Sequence, residues 1–193
     1  MSIGIGIVGA GAISRRGHIP VIKNLRHINV ELIGIADINE KLARNVAKEY
    51  GIPHYYTDYK KLLNNEDIDL IVIATPTPTH AEIAIEAANV GKHLLIEKPL
   101  CMNTREAISI LEAVKKNNIK ASVVQNYRYF SSSRMIKYLI KSGRLGRVFS
   151  IEGIAQTHFP SSWTRSKWLY HKGGVLFDFF PHLVDLVLWY LNF

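Results

Sequence analysis

The chain has 193 residues, enough for one complete domain and part of a second. Its composition, 48% hydrophobic and 21% charged, is typical of a soluble globular protein, and its single cysteine, Cys101, excludes an intrachain disulfide and fits a reducing cytoplasm. The net charge of +8 comes from scattered basic residues without interleaved aromatic residues, so it favours an anionic small ligand over a nucleic acid.

No export signal or membrane span is expected. The N-terminal residues lack the basic start of a signal peptide, and glycines interrupt the apolar run that follows. The most membrane-like stretch, residues 174–193, is broken by Asp178, Pro181 and Asp185, so it predicts a buried helix and no membrane partner.

Apolar runs alternate with amphipathic ones along the first half of the chain. This alternation predicts a doubly wound α/β fold of the Rossmann type, with a parallel sheet covered by helices on both faces. The predicted strands run from Ile3 to Val8, Val30 to Ala36, Ile68 to Ala74, Leu94 to Ile96 and Ala121 to Val124.

Polar capping residues mark the predicted helix starts. One helix is expected after Asn39 and another after Thr79, which would form a capping box with Glu82. A third is expected after Asn103, with Glu106 three residues further on.

A glycine-rich turn, residues 9–14, follows the first predicted strand. Gly9 permits a tight turn, and Gly11 lets backbone N–H groups approach a pyrophosphate at a helix N-terminus. Ser14 replaces the usual third Gly or Ala, which we expect to loosen the helix–strand contact slightly. The cofactor-binding residues predicted from this turn are Gly9, Gly11, Ala12 and Ile13.

Asp37 stands at the end of the second predicted strand. A carboxylate there can accept both hydroxyls of an adenosine ribose and would repel a 2′-phosphate, so NAD is preferred over NADP as the cofactor. The alternative is an exposed Asp37 that merely caps the next helix.

The loop Thr75-Pro76-Thr77-Pro78-Thr79-His80 follows the third predicted strand. Its two prolines fix φ and hold the chain away from helical geometry, so Thr75, Pro76 and His80 are candidates to line the cofactor cleft. An ordinary connection with His80 exposed in the first helical turn is an equal alternative.

Glu97-Lys98-Pro99 ends the fourth predicted strand, where ligands gather in open α/β sheets. We therefore include Glu97 and Lys98 in the cofactor site. The alternative for this pair is a solvated salt bridge at a strand end.

These motifs resemble the Gfo/Idh/MocA oxidoreductase family, whose members are sugar and cyclitol dehydrogenases with a nicotinamide cofactor. Two later stretches also match, residues 125–130 (QNYRYF) and 173–182 (GGVLFDFFPH), so the resemblance covers essentially the whole chain. It implies that Lys98, Asp178 and His182 occupy catalytic positions that face each other across the nicotinamide. It also places Glu97 near the nicotinamide ribose and a cis peptide bond before Pro99.

The chemistry of these residues fits alcohol oxidation. Lys98 can supply positive charge beside a developing alkoxide, and His182 can act as a base that Asp178 orients. We expect Asp178 and His182, four residues apart, to share one face at a helix start. Taken singly, Asp178 could be an N-cap and His182 a buried structural histidine. No metal is expected, because no third ligand stands out.

We place an NAD(P)-binding Rossmann domain at residues 1–122 and the first part of an α+β domain at residues 123–193. The second half predicts a helix that ends at Gly143, an antiparallel strand over 147–155 and a helix over 183–189 that is buried all round. The loop 157–172 could close over a substrate or be a basic surface loop; the tentative substrate contacts are Arg128 and Trp163.

One strand cannot form a stable sheet, so the chain is expected to be a truncated form of a longer protein. By resemblance, the full-length form is a homo-oligomer. The predicted function is an NAD(P)-dependent dehydrogenase that acts on a secondary hydroxyl of a sugar, nucleotide sugar or cyclitol. The alternatives are an NAD-dependent glycosidase of the same family, or a non-catalytic nucleotide-binding protein if 193 residues are the mature product.

Overall fold

The computed structural model describes residues 2–156 and 174–192. The chain divides into two units, Met1–Val124 and Gln125–Phe193. The predicted domain boundary lies two residues before this division.

The first unit is built on a six-stranded parallel sheet with the order β3-β2-β1-β4-β5-β6. Its strands are β1 (Ile3–Val8), β2 (Val30–Ala36), β3 (His54–Tyr56), β4 (Leu70–Ile73), β5 (His93–Ile96) and β6 (Ala121–Val123). The chain reverses its direction of travel across the sheet between β1 and β4, which is where doubly wound sheets bind ligands. The predicted fold class is confirmed.

Helices connect the strands of this unit. They are α1 (Ile19–Asn24), α2 (Glu40–Tyr50), α3 (Tyr59–Leu63), α4 (His80–Asn89) and α5 (Thr104–Lys116). Two apolar cores lie on opposite faces of the sheet, one around Ile7 and Ile35 and the other around Ile71 and Ile73. Because both faces are covered, the central strands consist of nearly continuous apolar residues.

Two of the three predicted helix caps form. The Asn39 side chain accepts the Leu42 N–H (3.1 Å) at the start of α2. At α5, Asn103 accepts the Glu106 N–H (3.0 Å) while its side-chain amide donates to the Glu106 carboxylate (2.7 Å).

The capping box predicted at Thr79 is wrong. The Thr79 hydroxyl bonds instead to the Thr75 hydroxyl and the Pro76 carbonyl, both at 2.8 Å. The Glu82 carboxylate accepts a hydrogen bond from the Tyr59 hydroxyl (3.3 Å). A short 3₁₀ turn, Thr77–Thr79, precedes α4 and turns the threonine back toward its own loop.

The segment between the glycine turn and α1 is a π-helix, Ser14–His18, which the sequence pattern does not predict. The Ile19 N–H donates to the carbonyl of Ser14, five residues back. Pro20 follows at once and has no N–H, and in a regular α-helix its ring would clash with the carbonyl four residues earlier. The wider turn relieves that clash.

The second unit contains α6 (Ser131–Lys141), α7 (Gly174–Asp178) and α8 (Phe180–Leu191). Gly143 follows α6 with φ of +72°, as predicted for a residue just beyond a helix end. The strand predicted over residues 147–155 is wrong, because this stretch has no hydrogen-bonded partner strand within the described ranges.

Two further expectations for α7 and α8 are corrected. Val184 and Leu188 are 38% and 45% exposed, so α8 is not buried all round; the described part of this unit covers only one of its faces. Asp178 ends α7 and His182 lies in α8, so they do not share one continuous helical face. Pro181 cannot donate a helical hydrogen bond, which accounts for the break.

Within the described parts of the chain, no helix is both long and apolar enough to cross a lipid bilayer.

Candidate functional site

The carboxyl ends of the central strands lie in one row. Val8 of β1 pairs with Ala36 of β2 on one side and with Ile73 of β4 on the other, and Ile73 pairs in turn with Ile96 of β5. The residues that follow these strand ends therefore share one edge of the sheet, as expected from the parallel topology. Gly9, Asp37, Ala74 and Glu97 follow them.

Gly9 and Gly11 meet different surroundings in the turn after β1. Gly9 has φ of +103°, and a Cβ there would lie 2.5 Å from the Ala74 carbonyl oxygen. Only glycine fits this position without strain. A Cβ on Gly11 would meet no atom within 4 Å, so the backbone there borders open space into which a ligand can approach.

Ser14 secures the same turn. Its side chain is fully buried, and its hydroxyl donates to the Gly9 carbonyl at 2.6 Å. The loosening expected from a serine at this position is therefore wrong, because the hydroxyl fills the space and satisfies a buried carbonyl oxygen.

Asp37 is held against the turn by two backbone donors. One carboxylate oxygen accepts the Ala10 N–H (2.8 Å) and the other accepts the Asn39 N–H (2.9 Å). Asn39, not Asp37, is the N-cap of α2, so the capping alternative for Asp37 is wrong. A carboxylate oxygen has more than one lone pair, and each can still accept a hydroxyl.

A cleft of about 420 Å³ opens above these strand ends. The residues that line the cleft are mostly apolar, and Asp37 and Glu82 are the charged residues among them. Five predicted cofactor residues line it: Gly9, Gly11, Asp37, Thr75 and Pro76. Its size and apolar lining suit a nucleoside.

Sequence reasoning missed the far wall of the cleft, formed by Thr57, Tyr59 and Ile83. Burial, together with the Glu86 and Glu82 carboxylates, raises the pKa of Tyr59 above its ordinary value, so its hydroxyl keeps its proton and donates to Glu86 (2.9 Å). The sequence pattern gives little indication of these residues, because β3, the strand that precedes them, is a three-residue, largely exposed edge strand.

His80 supports the loop beneath the cleft. It is 1% exposed, so the alternative of an exposed first-turn histidine is wrong. One ring nitrogen lies 2.8 Å from the Thr75 carbonyl oxygen and the other 3.0 Å from that of Pro99. The ring therefore joins the loop after β4 to the loop after β5.

Glu97 and Lys98 follow β5 at the same edge. Glu97 is buried (8% exposed), so the solvated-pair alternative is wrong for this residue. Its carboxylate lies 2.8 Å from Nε2 of His18, a residue that sequence reasoning did not select. The Lys98–Pro99 bond is cis, as the resemblance predicts.

The remaining predicted cofactor residues belong to the turn itself. Ala12 and Ile13 begin the helical segment after Gly11, and Ile13 is 48% exposed.

No cluster of three or more His, Cys, Asp or Glu side chains suited to a metal ion occurs among the residues described.

In the second unit, His182 is buried and stacks on Tyr127, with ring centroids 4.0 Å apart and planes 4° from parallel. The sequence showed Tyr127 only as part of a motif. Asp178, four residues before His182, is half-buried at the end of α7.

Arg128, a tentative substrate contact, is bound to Asp185. Its Nε lies 2.7 Å from one carboxylate oxygen, and its Nη2 contacts the other. This hydrogen bonding raises the pKa of Arg128, and it ties the 3₁₀ turn Asn126–Tyr129 to α8. Trp163, the other tentative contact, lies outside the described residues.

Comparison with known proteins agrees with this architecture. Residues 3–125 match the family model for the oxidoreductase family with an NAD-binding Rossmann fold, more than half of the chain. Residues 133–192 match the GFO/IDH/MocA C-terminal domain. The chain belongs to the Gfo/Idh/MocA oxidoreductase family.

Several members of this family are named dehydrogenases. Levoglucosan dehydrogenase of Pseudarthrobacter phenanthrenivorans is 35% identical over 158 residues, which is 79% of this chain and 40% of that protein. Glucose-6-phosphate 3-dehydrogenase of Bacillus subtilis is 32% identical, over 97% of this chain and 53% of that protein.

A solved structure of a dehydrogenase is similar to this chain in fold. The WlbA dehydrogenase of Bordetella pertussis, in complex with NADH and UDP-GlcNAcA, is 26% identical with a TM-score of 0.90, covering 99% of this chain and 60% of that one. The Gfo/Idh/MocA chain described here thus spans about half the length of the relatives it matches.

Proposed function

We propose that this chain carries the cofactor site and part of the catalytic site of an NAD-dependent dehydrogenase that oxidises a secondary hydroxyl of a sugar, nucleotide sugar or cyclitol. The observation that carries the proposal is the alignment of strand ends. At the carboxyl edge of the sheet, the glycine turn follows β1 and Asp37 follows the neighbouring β2. Glu97 and Lys98 follow β5 at the same edge. The names of the levoglucosan and glucose-6-phosphate dehydrogenases support the substrate class.

The residues around the cleft fit a dinucleotide. The open space at Gly11 admits a pyrophosphate beside the backbone N–H groups that begin the next helical segment. Asp37 would accept ribose hydroxyls while its bonds to Ala10 and Asn39 hold its carboxylate in place. When bound, NAD supplies the hydride acceptor.

We propose NAD rather than NADP. Asp37 and Glu82 place two carboxylates on the lining of the cleft. A 2′-phosphate would be repelled by a carboxylate a few ångströms away, and a dianion adds to that cost. Asp37→Asn is therefore expected to weaken NADH binding by about tenfold and to reduce the preference for NADH over NADPH.

We assign the catalytic roles to Lys98, Asp178 and His182. The ammonium group of Lys98 would stabilise the oxygen of the substrate as its proton leaves. His182 would accept that proton, with its ring orientation fixed by the stack on Tyr127.

The test uses a form of the protein extended to the length of its relatives. NADH binding is measured by fluorescence titration, and turnover is screened on sugars, nucleotide sugars and cyclitols. Lys98→Ala is expected to lower kcat by at least about 100-fold while NADH binding changes little, because the ammonium acts on the substrate oxygen. Lys61→Ala, an exposed lysine on α3, is the control.

Two results would contradict the proposal. One is unchanged turnover in Lys98→Ala at saturating NAD. The other is release of an aglycone without net NADH accumulation, which identifies an NAD-dependent glycosidase instead.

A further inference from the structure

The contact between His18 and Glu97 joins two distant parts of the first unit. His18 ends the π-helix that follows β1, and Glu97 follows β5. β4 lies between these two strands in the sheet. Nε2 of His18 lies 2.8 Å from the nearer Glu97 oxygen, and the two side chains are only 12% and 10% exposed.

Glu97 uses both carboxylate oxygens. One meets His18, and the other accepts the backbone N–H of Lys98 at 3.1 Å. A carboxylate taken out of water is costly unless its oxygens are hydrogen-bonded, so these two contacts are what permit a buried acid here. Because a carboxylate only accepts, Nε2 of His18 must carry the hydrogen.

The backbone of this segment is anchored on the other side too. The Glu97 N–H donates to the Ile73 carbonyl of β4 (2.9 Å). Glu97 is thus held at two places, its backbone by β4 and its carboxylate by His18.

His18 is itself placed by the turn that would bind the pyrophosphate. Ser14 is fixed to Gly9, and Ile19 bonds back to Ser14 across the wide π turn. One extra residue in a helical turn rotates every later side chain by about 100° relative to a regular α-helix. The π-helix thus sets the direction of His18, and a regular helix with the same sequence would point it elsewhere.

We infer that His18 is a positioning residue. It holds the Glu97 carboxylate, and through that carboxylate the backbone of Lys98, from the helical segment that follows the glycine turn. The inference rests on the proposed function insofar as Lys98 is catalytic.

The kinetic test compares three variants in the extended form of the protein. His18→Leu removes the ring hydrogen bond, and we expect kcat to fall by about 10- to 100-fold while the Kd of NADH stays within about threefold, because Lys98 is misplaced but the cleft is intact. In His18→Gln the amide nitrogen occupies nearly the place of Nε2 and can donate to Glu97, so most of kcat should return. His27→Leu, an exposed histidine nine residues on, is the control.

A second measurement does not depend on turnover. In the 193-residue chain, hydrogen exchange at the Lys98 amide is followed by NMR, with the Val72 amide of β4 reporting global opening. His18→Leu should speed exchange at Lys98 by at least about tenfold relative to Val72, since the acceptor of that amide is no longer held, and His18→Gln should not.

Equal exchange at Lys98 in the wild type and His18→Leu would overturn the inference. So would equal loss of kcat in His18→Leu and His18→Gln. If no substrate is turned over by the wild type while the exchange result holds, the proposed function fails and the positioning role of His18 stands.

Discussion

Gly9 and Gly11 lie two residues apart in one turn. An added methyl group would clash with the Ala74 carbonyl at Gly9 but would point into open space at Gly11. The difference separates two requirements that a glycine motif usually combines. Gly9 is needed by the fold, because φ is positive and the Ala74 carbonyl is in the way. Gly11 is needed only by whatever enters the cleft.

Substitution of each glycine by alanine tests this separation. Gly9→Ala is expected to lower the free energy of unfolding by about 1–3 kcal/mol through backbone strain and the contact with Ala74. Gly11→Ala should leave the free energy of unfolding nearly unchanged and weaken NADH binding by about tenfold or more, because the methyl group occupies the approach to the backbone. Urea unfolding and NADH fluorescence titration measure the two quantities. A destabilised Gly11→Ala with normal NADH binding would contradict the assignment.

Among individual residues, the sequence allowed correct predictions where the role of a residue depends on residues close to it in the chain. Gly9 and the cis bond before Pro99 belong to short motifs, and both are as predicted. His18 was missed because its partner is 79 residues away and no local pattern marks the contact. Ser14 was misjudged because its value depends on a hydrogen bond to Gly9 that the residue type alone does not reveal.

Helix caps differ in strength between elements of this chain. Asn103 at α5 makes reciprocal bonds with Glu106, whereas Glu82 at α4 is bonded to Tyr59 and caps nothing. Asn103→Ala should therefore lower the free energy of unfolding by about 1 kcal/mol, as expected for a lost N-cap.

Glu82→Ala is the matched comparison and should change the free energy of unfolding by less than about 0.5 kcal/mol, a typical effect at a surface position. Both values come from urea unfolding followed by circular dichroism. A larger loss in Glu82→Ala than in Asn103→Ala would mean that α4 has a capping box after all.

Most of the main strands and helices of the first unit could be predicted because they bury apolar residues. The strand predicted at Ala121 to Val124 is present as β6, but it is largely exposed and not buried. β3 was missed since three half-exposed residues give no period, and the π-helix was missed since it depends on how Pro20 is accommodated. The strand predicted at 147–155 has alternating residues, but alternation permits a strand only where another strand is available to pair with it.

For the whole molecule, the separation into two units has a direct consequence. Both apolar cores and every residue of the cleft lie before residue 125. Residues 1–124 are therefore expected to fold alone and to bind NADH with a Kd within about threefold of that of the 193-residue chain. NADH titration and thermal unfolding of the two forms decide this. An unfolded 1–124 chain would show that the second unit contributes to the stability of the first.

The order of the strands could be expected from the alternation of strands and helices, because right-handed crossovers leave few arrangements. What covers the apolar side chains of the second unit could not be predicted from this sequence. The apolar pattern predicts that Val184 and Leu188 are buried, but it does not identify the surface that would cover them.

The single row of strand ends also bears on protein engineering. Asp37 and Glu97 follow β2 and β5, three strand spacings apart, or about 14 Å at 4.8 Å each. Substitutions at that separation usually act additively on free energy. Coenzyme preference could then be redesigned at Asp37 without retuning the chemistry around Lys98. Substitutions in the helical segment after Gly11 are not expected to act independently of Lys98, because His18 connects this segment to Glu97.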